Sequence, residues 1–236
     1  MPCTAWKLGL VASLLVLLGA ALLFWNGMAS RFRLQPDCGS ACSVVVRPVQ
    51  QVPANVVQQV YDATLGGRTL SAEGNQNNAR GSRTTRKEEL PAYVHDVIVP
   101  MMQEAVRQHM HVDVSLRRGD IFARLYREGD FLSWHYDNNY SKGRRITAIL
   151  PLLMNEKNTS LVQQMLPEEG SVVDVDCAPG EIMMYEGDKV YHRITRQGPG
   201  GERLVLVAPF YEDPDFGLLG AVRQQLRTWT YDLLRL

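Results

Sequence analysis

The sequence is poor in cysteine and has no excess of either charge. Its 236 residues include 4 cysteines, too few for a fold held together by disulfides. The 25 basic side chains balance the 25 acidic ones, whereas a domain that binds nucleic-acid phosphates usually shows a basic excess. With 45% hydrophobic and 21% charged residues, the composition excludes a disordered chain. What remains is about one globular domain, with room for appendages.

Only one long apolar run is present, and it lies near the N-terminus. No charged residue occurs over positions 8–30, and a helix of that length spans about 34 Å, enough for a bilayer core. Trp6 and Trp25 lie near its ends, where interfacial aromatics are favoured. A signal peptide cleaved near Gly27-Met28-Ala29 is the alternative, although the run is longer than a usual signal core. We therefore expect residues 1–30 to form an uncleaved membrane anchor.

Residues 31–53 contain three prolines and are interpreted as an irregular stalk. Cys38 and Cys42 in this stretch have two possible states. They could pair with each other in an oxidising compartment, or they could be free or acylated beside a membrane.

The apolar spacing over residues 54–117 predicts a helical preamble. One helix is predicted over 54–65, and a second from about Glu88, with a kink at Pro100. The glycine-, asparagine-, serine- and arginine-rich residues 66–87 between them indicate an exposed loop.

After Gly119 the apolar spacing becomes strand-like. Short strand candidates separated by turn-forming residues are typical of a sandwich or jelly roll; they are 120–128, 131–137, 144–153, 160–166, 171–176, 180–186, 189–195 and 202–211. The expected fold class is mainly β with flanking helices (α+β). It consists of a sandwich or jelly roll preceded by helices, with a C-terminal helix in 213–236 and an N-terminal transmembrane helix.

The sharpest local feature is Trp134-His135-Tyr136-Asp137. Residues two apart in a strand face the same side, so His135 and Asp137 should point inward together. His192, on a later strand, is a third candidate ligand. Two histidines and one carboxylate match the facial triad of non-haem Fe(II) oxygenases, which leaves positions open for a cosubstrate and dioxygen.

Arg203 follows His192 beyond the glycine-rich turn at 198–201, so we expect these two residues on adjacent antiparallel strands. An inward guanidinium needs an anionic partner, because a buried unpaired charge is costly. A dicarboxylate that chelates the iron at one end would supply that partner at the other. A protein acid such as Glu181 or Glu202 is the alternative partner.

These residues belong to an ordered set of motifs over residues 118–212 that resembles the Fe(II)- and 2-oxoglutarate-dependent dioxygenases. The most similar branch is the prolyl 4-hydroxylase-like one. The motifs are Arg124-Leu-Tyr126-Arg-Glu-Gly129, Trp134-His-Tyr-Asp137, Arg144-Arg-Ile-Thr147-Ala-Ile-Leu150, Pro179-Gly-Glu-Ile-Met-Met-Tyr185, Tyr191-His-Arg193 and Gly201-Glu-Arg203-Leu-Val-Leu206.

The resemblance implies a fold, a site and a reaction. The implied fold is a double-stranded β-helix (jelly roll) over 118–212. The resemblance implies Fe(II) ligands at His135, Asp137 and His192. It also implies that Arg203 binds the distal carboxylate of 2-oxoglutarate and that the hydroxyl of Tyr126 can bond the same group; Thr147 is a weaker cosubstrate candidate. Ascorbate is expected to keep the iron reduced. The implied reaction is hydroxylation of a protein or peptide, coupled to formation of succinate and CO2.

Other functions of the same fold are weighed against this one. A dioxygenase could act on a small molecule or on nucleic acid, but the nucleic-acid branch typically has a second arginine where this chain has Pro209, so no nucleic-acid partner is expected. A non-catalytic binding module should have lost a ligand, and all three are present. A hydrolytic zinc site needs a general base, and none is evident near the ligands.

The resemblance to membrane-anchored hydroxylases of the secretory pathway implies a location as well. The protein is expected to be held in the endoplasmic reticulum or Golgi membrane through residues 8–30, with a lumenal catalytic domain. In that compartment Cys38 and Cys42 would form a disulfide.

Overall fold

The computed structural model describes residues 19, 44–46, 51–65, 68–69, 79–84, 89–116, 121–137, 139, 141–155, 162–165 and 172–215. Residue 19 apart, the predicted membrane anchor lies outside these residues, and so does the predicted C-terminal helix from residue 216 onward. No helix among the described residues is long and apolar enough to cross a membrane. The strands and helices discussed below belong to one compact unit, residues 36–236.

Strands dominate the described residues, and two α-helices precede most of them. The α-helices are α1 (Ala54–Leu65) and α2 (Val99–Met110), the latter entered through a π-helical segment (Val94–Ile98). The strands are β1 (Val44–Val46), β2 (Arg68–Thr69), β3 (Ala79–Arg80), β4 (Ser82–Arg83), β5 (Ser115–Leu116), β6 (Phe122–Arg127), β7 (Phe131–His135), β8 (Lys142–Met154), β9 (Val162–Met165), β10 (Val172–Val175), β11 (Ile182–Glu186), β12 (Tyr191–Ile194) and β13 (Glu202–Asp213).

The described strands form two antiparallel sheets. The larger sheet has the order β1-β11-β8-β13-β6-β4-β2, with β5 also paired to β13. The smaller sheet has the order β10-β9-β12-β7-β3. Strands that are consecutive in sequence often lie in different sheets, as β6 and β7 do, which is the alternation expected of a jelly roll. The predicted mainly-β fold with flanking helices is therefore confirmed.

The larger sheet is buried on both faces, because its side chains alternate between two apolar cores. On the outer face, Ile146, Ala148 and Leu150 of β8 pack with the buried stripes of α1 and α2. On the inner face, Ile149 packs with residues of both sheets such as Val205 of β13 and Ile194 of β12. The helices therefore close one face of the larger sheet, and the space between the sheets holds the inward-facing polar residues.

The second predicted helix contains a π-helical segment, Val94–Ile98, directly before Val99 and Pro100. The predicted start near Glu88 lies outside the described residues, and the predicted kink at Pro100 stays a prediction. Proline has no N–H and its ring crowds the carbonyl four residues earlier, so an α-helical bond at this point is impossible. The widened turn uses the N–H of Val99 bonded to the carbonyl of Val94. The helix then continues regularly, with Pro100 in its first turn.

Two regions predicted to be irregular contain strands. Residues 44–46, within the predicted stalk, form β1 and pair with β11, Val44 opposite Met184. Residues 66–87, predicted as a loop, contain β2, β3 and β4. These strands are only two or three residues long, and β1, β3 and β4 pair with strands far away in sequence. A local apolar pattern therefore could not reveal them.

Candidate active site

Three potential metal ligands meet on the inner side of the smaller sheet. His135 on β7 lies opposite His192 on β12, with their ring centroids 4.2 Å apart. Asp137 follows β7, and its Oδ1 lies 3.8 Å from Nε2 of His135 and 4.0 Å from Nε2 of His192. One ligand atom from each residue fits within a 4.8 Å span. Two imidazoles and one carboxylate in this arrangement form a 2-His-1-carboxylate cluster, a donor set suited to Fe(II).

Backbone carbonyls fix the orientation of both imidazole rings. Nδ1 of His135 lies 2.8 Å from the carbonyl oxygen of Ser133, and Nδ1 of His192 lies 2.8 Å from that of Val190. A carbonyl oxygen can only accept, so both Nδ1 atoms carry the proton and both Nε2 atoms present a lone pair to the cluster. Hydrogen bonds of this kind orient the histidine ligands of protein metal sites.

The two imidazoles are uncharged in the folded protein. Burial lowers the pKa of His192, although the Asp137 carboxylate opposes that shift. Burial also lowers the pKa of His135, and proximity to His192 lowers it further. Neutral imidazole is the form that binds a metal ion. The side chain of His135 is 30% exposed and that of His192 is 4% exposed, so the cluster opens to solvent on the His135 side.

The far oxygen of the Asp137 carboxylate is held by the larger sheet. Its Oδ2 accepts a hydrogen bond of 2.6 Å from the Thr147 hydroxyl and forms an ion pair of 2.7 Å with Nη1 of Arg145. Burial alone would raise the pKa of Asp137, but the Arg145 guanidinium holds that pKa far below its ordinary value. With Oδ2 bound in this way, Oδ1 is the atom that faces the two histidines.

Gly187 packs directly against this carboxylate. Its carbonyl oxygen accepts a hydrogen bond of 2.8 Å from the backbone N–H of Asp137. A Cβ at this position would overlap Oδ2 of Asp137 and would lie 2.5 Å from the Thr147 hydroxyl oxygen. The absent side chain is therefore what lets Arg145, Thr147 and Asp137 come together.

A second polar group, Arg203, faces the same interior from the larger sheet. Arg203 is 3% exposed, and its Nε and Nη1 have no hydrogen-bonding partner among the described residues. Burial lowers its pKa, and the groups that oppose this shift are Tyr126, Cys177 and Tyr185 rather than a carboxylate. A buried guanidinium without an anion is costly, so this position is suited to a negatively charged ligand.

Neither acid considered from the sequence pairs with Arg203. Glu202 faces the other side of β13, where it accepts a hydrogen bond of 2.6 Å from Tyr61 and pairs with Arg127. Oε2 of Glu181 accepts a hydrogen bond of 2.8 Å from the backbone N–H of Ala178. Among the described residues, no acid therefore bonds to Nε or Nη1 of Arg203, and the position is open to an anion from outside the chain.

Tyr126 lies next to Arg203, because the two residues are directly opposite in the β6–β13 register. It is 1% exposed, and its hydroxyl accepts a hydrogen bond of 3.2 Å from Nη1 of Arg124. The phenolic proton remains available to a ligand bound by Arg203. The cosubstrate contacts predicted for Tyr126 and Thr147 stay predictions, and the Thr147 hydroxyl proton is donated to Asp137.

One prediction about the site is wrong. His192 and Arg203 were expected on adjacent strands joined by a hairpin, but β12 belongs to the smaller sheet and β13 to the larger one. Between them the chain pairs with the turn after β6: the N–H of Gly129 bonds to the carbonyl of Gln197, and the N–H of Gln197 to that of Asp130. The segment thus crosses between sheets, and Arg203 lies on the sheet opposite His135 and His192.

Three further residues of the site, Arg145, Tyr185 and Gly187, were not identified from the sequence. Arg145 lies in the predicted strand 144–153, where it shares a face with Thr147, and that spacing was the available clue. Tyr185 ends a motif used only for the resemblance, and it packs edge-on against the His192 ring with centroids 4.8 Å apart. Nothing local marks Gly187, because its role depends on side chains from other strands.

No protein-family model and no curated protein matches the sequence. Solved structures do match. A prolyl-4-hydroxylase from Pseudomonas putida is 18% identical with a TM-score of 0.54, over 74% of this chain and 95% of that one. HygX from Streptomyces hygroscopicus, solved with nickel, 2-oxoglutarate and hygromycin B bound, is 12% identical with a TM-score of 0.55, over 76% of this chain and 85% of that one.

A third match is a prolyl hydroxylase from Trichoplax adhaerens in complex with a hypoxia-inducible-factor peptide fragment. It is 14% identical with a TM-score of 0.50, over 79% of this chain and 91% of that one. At identities this low, the structural match establishes the shared fold alone. The chain has the jelly roll of the 2-oxoglutarate- and Fe(II)-dependent oxygenases, and the resemblance seen in the sequence motifs is confirmed at the level of fold.

Proposed function

We propose that this protein is a non-haem Fe(II)- and 2-oxoglutarate-dependent dioxygenase. The observation that carries the proposal is that a candidate metal site and a buried guanidinium lie in the same interior, between the two sheets. The cluster of His135, Asp137 and His192 has the donor set of an Fe(II) site, and Arg203 is a buried cation whose Nε and Nη1 have no partner among the described residues. A dicarboxylate that chelates the metal satisfies both at once.

Each residue has a definite part in this proposal. Nε2 of His135, Nε2 of His192 and Oδ1 of Asp137 hold the iron. Arg145 and Thr147 keep Oδ2 occupied, so the carboxylate offers the metal one oxygen and leaves coordination positions open. Iron(II) with 2-oxoglutarate supplies the activation of dioxygen that hydroxylation needs.

The other half of the site binds and orients the cosubstrate. Arg203 receives the distal carboxylate, and the Tyr126 hydroxyl beside it donates a second hydrogen bond. Around them lie apolar side chains from both sheets, among them Ile149 and Val205 of the larger sheet and Ile194 of the smaller one. Their low-dielectric surroundings strengthen the ionic contact at Arg203 and exclude water from the cosubstrate.

The substrate proposed is a protein or peptide, with a prolyl residue as the hydroxylated group. The motif resemblance to prolyl 4-hydroxylases and the fold shared with prolyl hydroxylases, one of them in complex with a peptide, support this choice. The same fold also serves HygX, which was solved with hygromycin B bound. The experiment must therefore separate peptide substrates from small molecules.

The first test is anaerobic addition of Fe(II) and then 2-oxoglutarate to the purified protein. A visible metal-to-ligand absorption band that needs both additions is expected. Substitution of Arg203 with methionine should leave iron binding intact and raise the 2-oxoglutarate concentration needed for the band about 100-fold, since a hydrogen-bonded ion pair of about 3 kcal/mol is lost. Absence of the band in the unmodified protein would refute the dioxygenase proposal.

The second test measures succinate release in air with a panel of proline-containing peptides, matched alanine peptides and small hydroxylatable molecules. Release stimulated by the prolyl peptides, with a mass increase of one oxygen on the peptide, is the expected result. Stimulation by the small molecules alone would keep the dioxygenase and reject the peptide substrate. Ascorbate should prolong turnover in either case, because it re-reduces iron after uncoupled cycles.

The location proposed is the membrane of the endoplasmic reticulum or Golgi, with the catalytic domain in the lumen. The uncharged run over residues 8–30 supports an anchor. The full-length protein should stay in the membrane pellet after an alkaline-carbonate wash, and a glycosylation acceptor placed near residue 215 should be modified. Release of a chain shortened at about residue 29 would favour a cleaved signal instead.

A further inference from the structure

Tyr185 is a buried polar residue of the site with no role so far. It lies on β11, directly opposite Thr147 of β8, and its side chain faces the interior between the sheets. It is 2% exposed. Its ring packs edge-on against the ring of His192. The backbone and the aromatic ring are therefore fixed by packing, and the position of the hydroxyl is fixed with them.

The Tyr185 hydroxyl forms no hydrogen bond with the described residues, which is unusual for a buried tyrosine. A phenol carries its proton at neutral pH and can donate it to an acceptor. The ring contact with His192 and the register opposite Thr147, whose hydroxyl bonds to Asp137, place Tyr185 beside the His135, Asp137 and His192 cluster. An acceptor is therefore missing from the interior on the side of that cluster.

We infer that the Tyr185 hydroxyl donates a hydrogen bond to the cosubstrate, at the carboxylate that lies nearer the metal ligands. This inference rests on the proposed dioxygenase function. Arg203 and Tyr126 serve the distal end of the dicarboxylate, whereas Tyr185 packs against His192 and lies opposite Thr147, the residue bonded to Asp137. The cosubstrate is then held by protein donors at both ends rather than at one.

The test measures binding to the nickel-loaded protein by calorimetry, with two probes. 2-Oxoglutarate has both carboxylate ends, and oxalate has only the metal-chelating one. Substitution of Tyr185 with phenylalanine keeps the ring and its packing on His192. It should weaken both probes about tenfold, since one hydrogen bond is lost. Substitution of Arg203 with methionine should weaken 2-oxoglutarate and leave oxalate unchanged.

Two controls make the result specific. Nickel affinity should be the same in Tyr185→Phe and the unmodified protein, because a residue that merely supported His192 would weaken the metal itself. Tyr61→Phe removes a hydroxyl that is bonded to Glu202 on the other face of β13, and should bind both probes normally.

Each of the remaining outcomes would overturn either the inference about Tyr185 or the proposed function. Unchanged binding of both probes to Tyr185→Phe would overturn the inference and leave the proposed function intact. Weakening of 2-oxoglutarate alone would place the hydroxyl at the distal end and overturn the assignment to the metal side. If the unmodified nickel-loaded protein does not bind 2-oxoglutarate, the proposed function itself fails.

Discussion

Substitution of Gly187 with alanine tests whether the held carboxylate of Asp137 sets metal affinity. The added Cβ would lie 2.5 Å from the Thr147 hydroxyl oxygen and 2.9 Å from Nη1 of Arg145, and closer still to Oδ2 of Asp137. Ordinary van der Waals contact begins at 3.4 Å, so Asp137 and the groups that hold it must move by about 1 Å. Gly187 does not have a positive φ, so the alanine is not strained by its backbone and the clash is the whole perturbation.

Two magnitudes follow from this displacement. Overpacking of a closed interior costs about 1–3 kcal/mol in the free energy of unfolding. Disturbing the groups that orient a metal ligand typically weakens metal binding about 10- to 100-fold. Turnover should fall further than metal affinity, since a misplacement of about 1 Å at a reacting centre can cost about 100-fold in rate.

The assay is titration of the metal-free protein with Fe(II) or Ni(II), alongside chemical unfolding. The matched control is Gly198→Ala, another glycine-to-alanine change with no positive φ, where an added Cβ meets nothing within 4 Å. It should bind metal normally. Gly187→Ala could lose stability as expected and still bind metal normally. That result would show that the Asp137 carboxylate does not need this packing, and the conclusion that holding Oδ2 directs Oδ1 toward the metal would be wrong.

Three further predictions concern charge and ligand binding. Asp137→Ala should abolish metal binding and lower the free energy of unfolding by about 3 kcal/mol, because Arg145 loses its anion; adding Arg145→Met should restore stability but not metal in calorimetric titrations. Asp188→Asn should stabilise the protein by about 1 kcal/mol at pH 7, because burial raises the pKa of Asp188 and its buried Oδ1 has no hydrogen-bonding partner among the described residues. A raised carboxyl pKa costs stability as pH rises through it, so this gain should vanish near pH 4, and a gain equal at both pH values would contradict the cause. Finally, 2-oxoglutarate should raise the melting temperature only when metal is present, and an equal rise without metal would show that Arg203 alone suffices.

The interior strands were predictable because each one repeats an apolar pattern long enough to recognise. Each of the eight predicted strands overlaps one observed strand, and α1 has the predicted bounds, because Val56 and Val60 are spaced for one helix face. The edge strands were not predictable. Val44–Val46 is held by β11, about 140 residues away, and its own sequence is too short to show a period of two.

Some residues of the site were likewise predictable from the sequence, and others were not. The placement of His135 near Asp137 followed from strand geometry alone, and both do meet His192. The prediction that Arg203 lies on a strand adjacent to that of His192 was wrong. A glycine-rich turn between two strands looks the same in sequence whether the chain forms a hairpin or crosses between sheets. Gly187 and Tyr185 could not be found, because their functions arise from contacts between strands rather than from any pattern along one.

The Asp137 carboxylate joins the two sheets. One oxygen faces the histidines of the smaller sheet, and the other is held by Thr147 and Arg145 of the larger sheet. The distance between the sheets therefore determines where Oδ1 lies, and that distance is set by apolar residues such as Met183 and Val207. Metal affinity should report on packing throughout this core, so that a cavity made far from the ligands loosens the metal before it unfolds the chain.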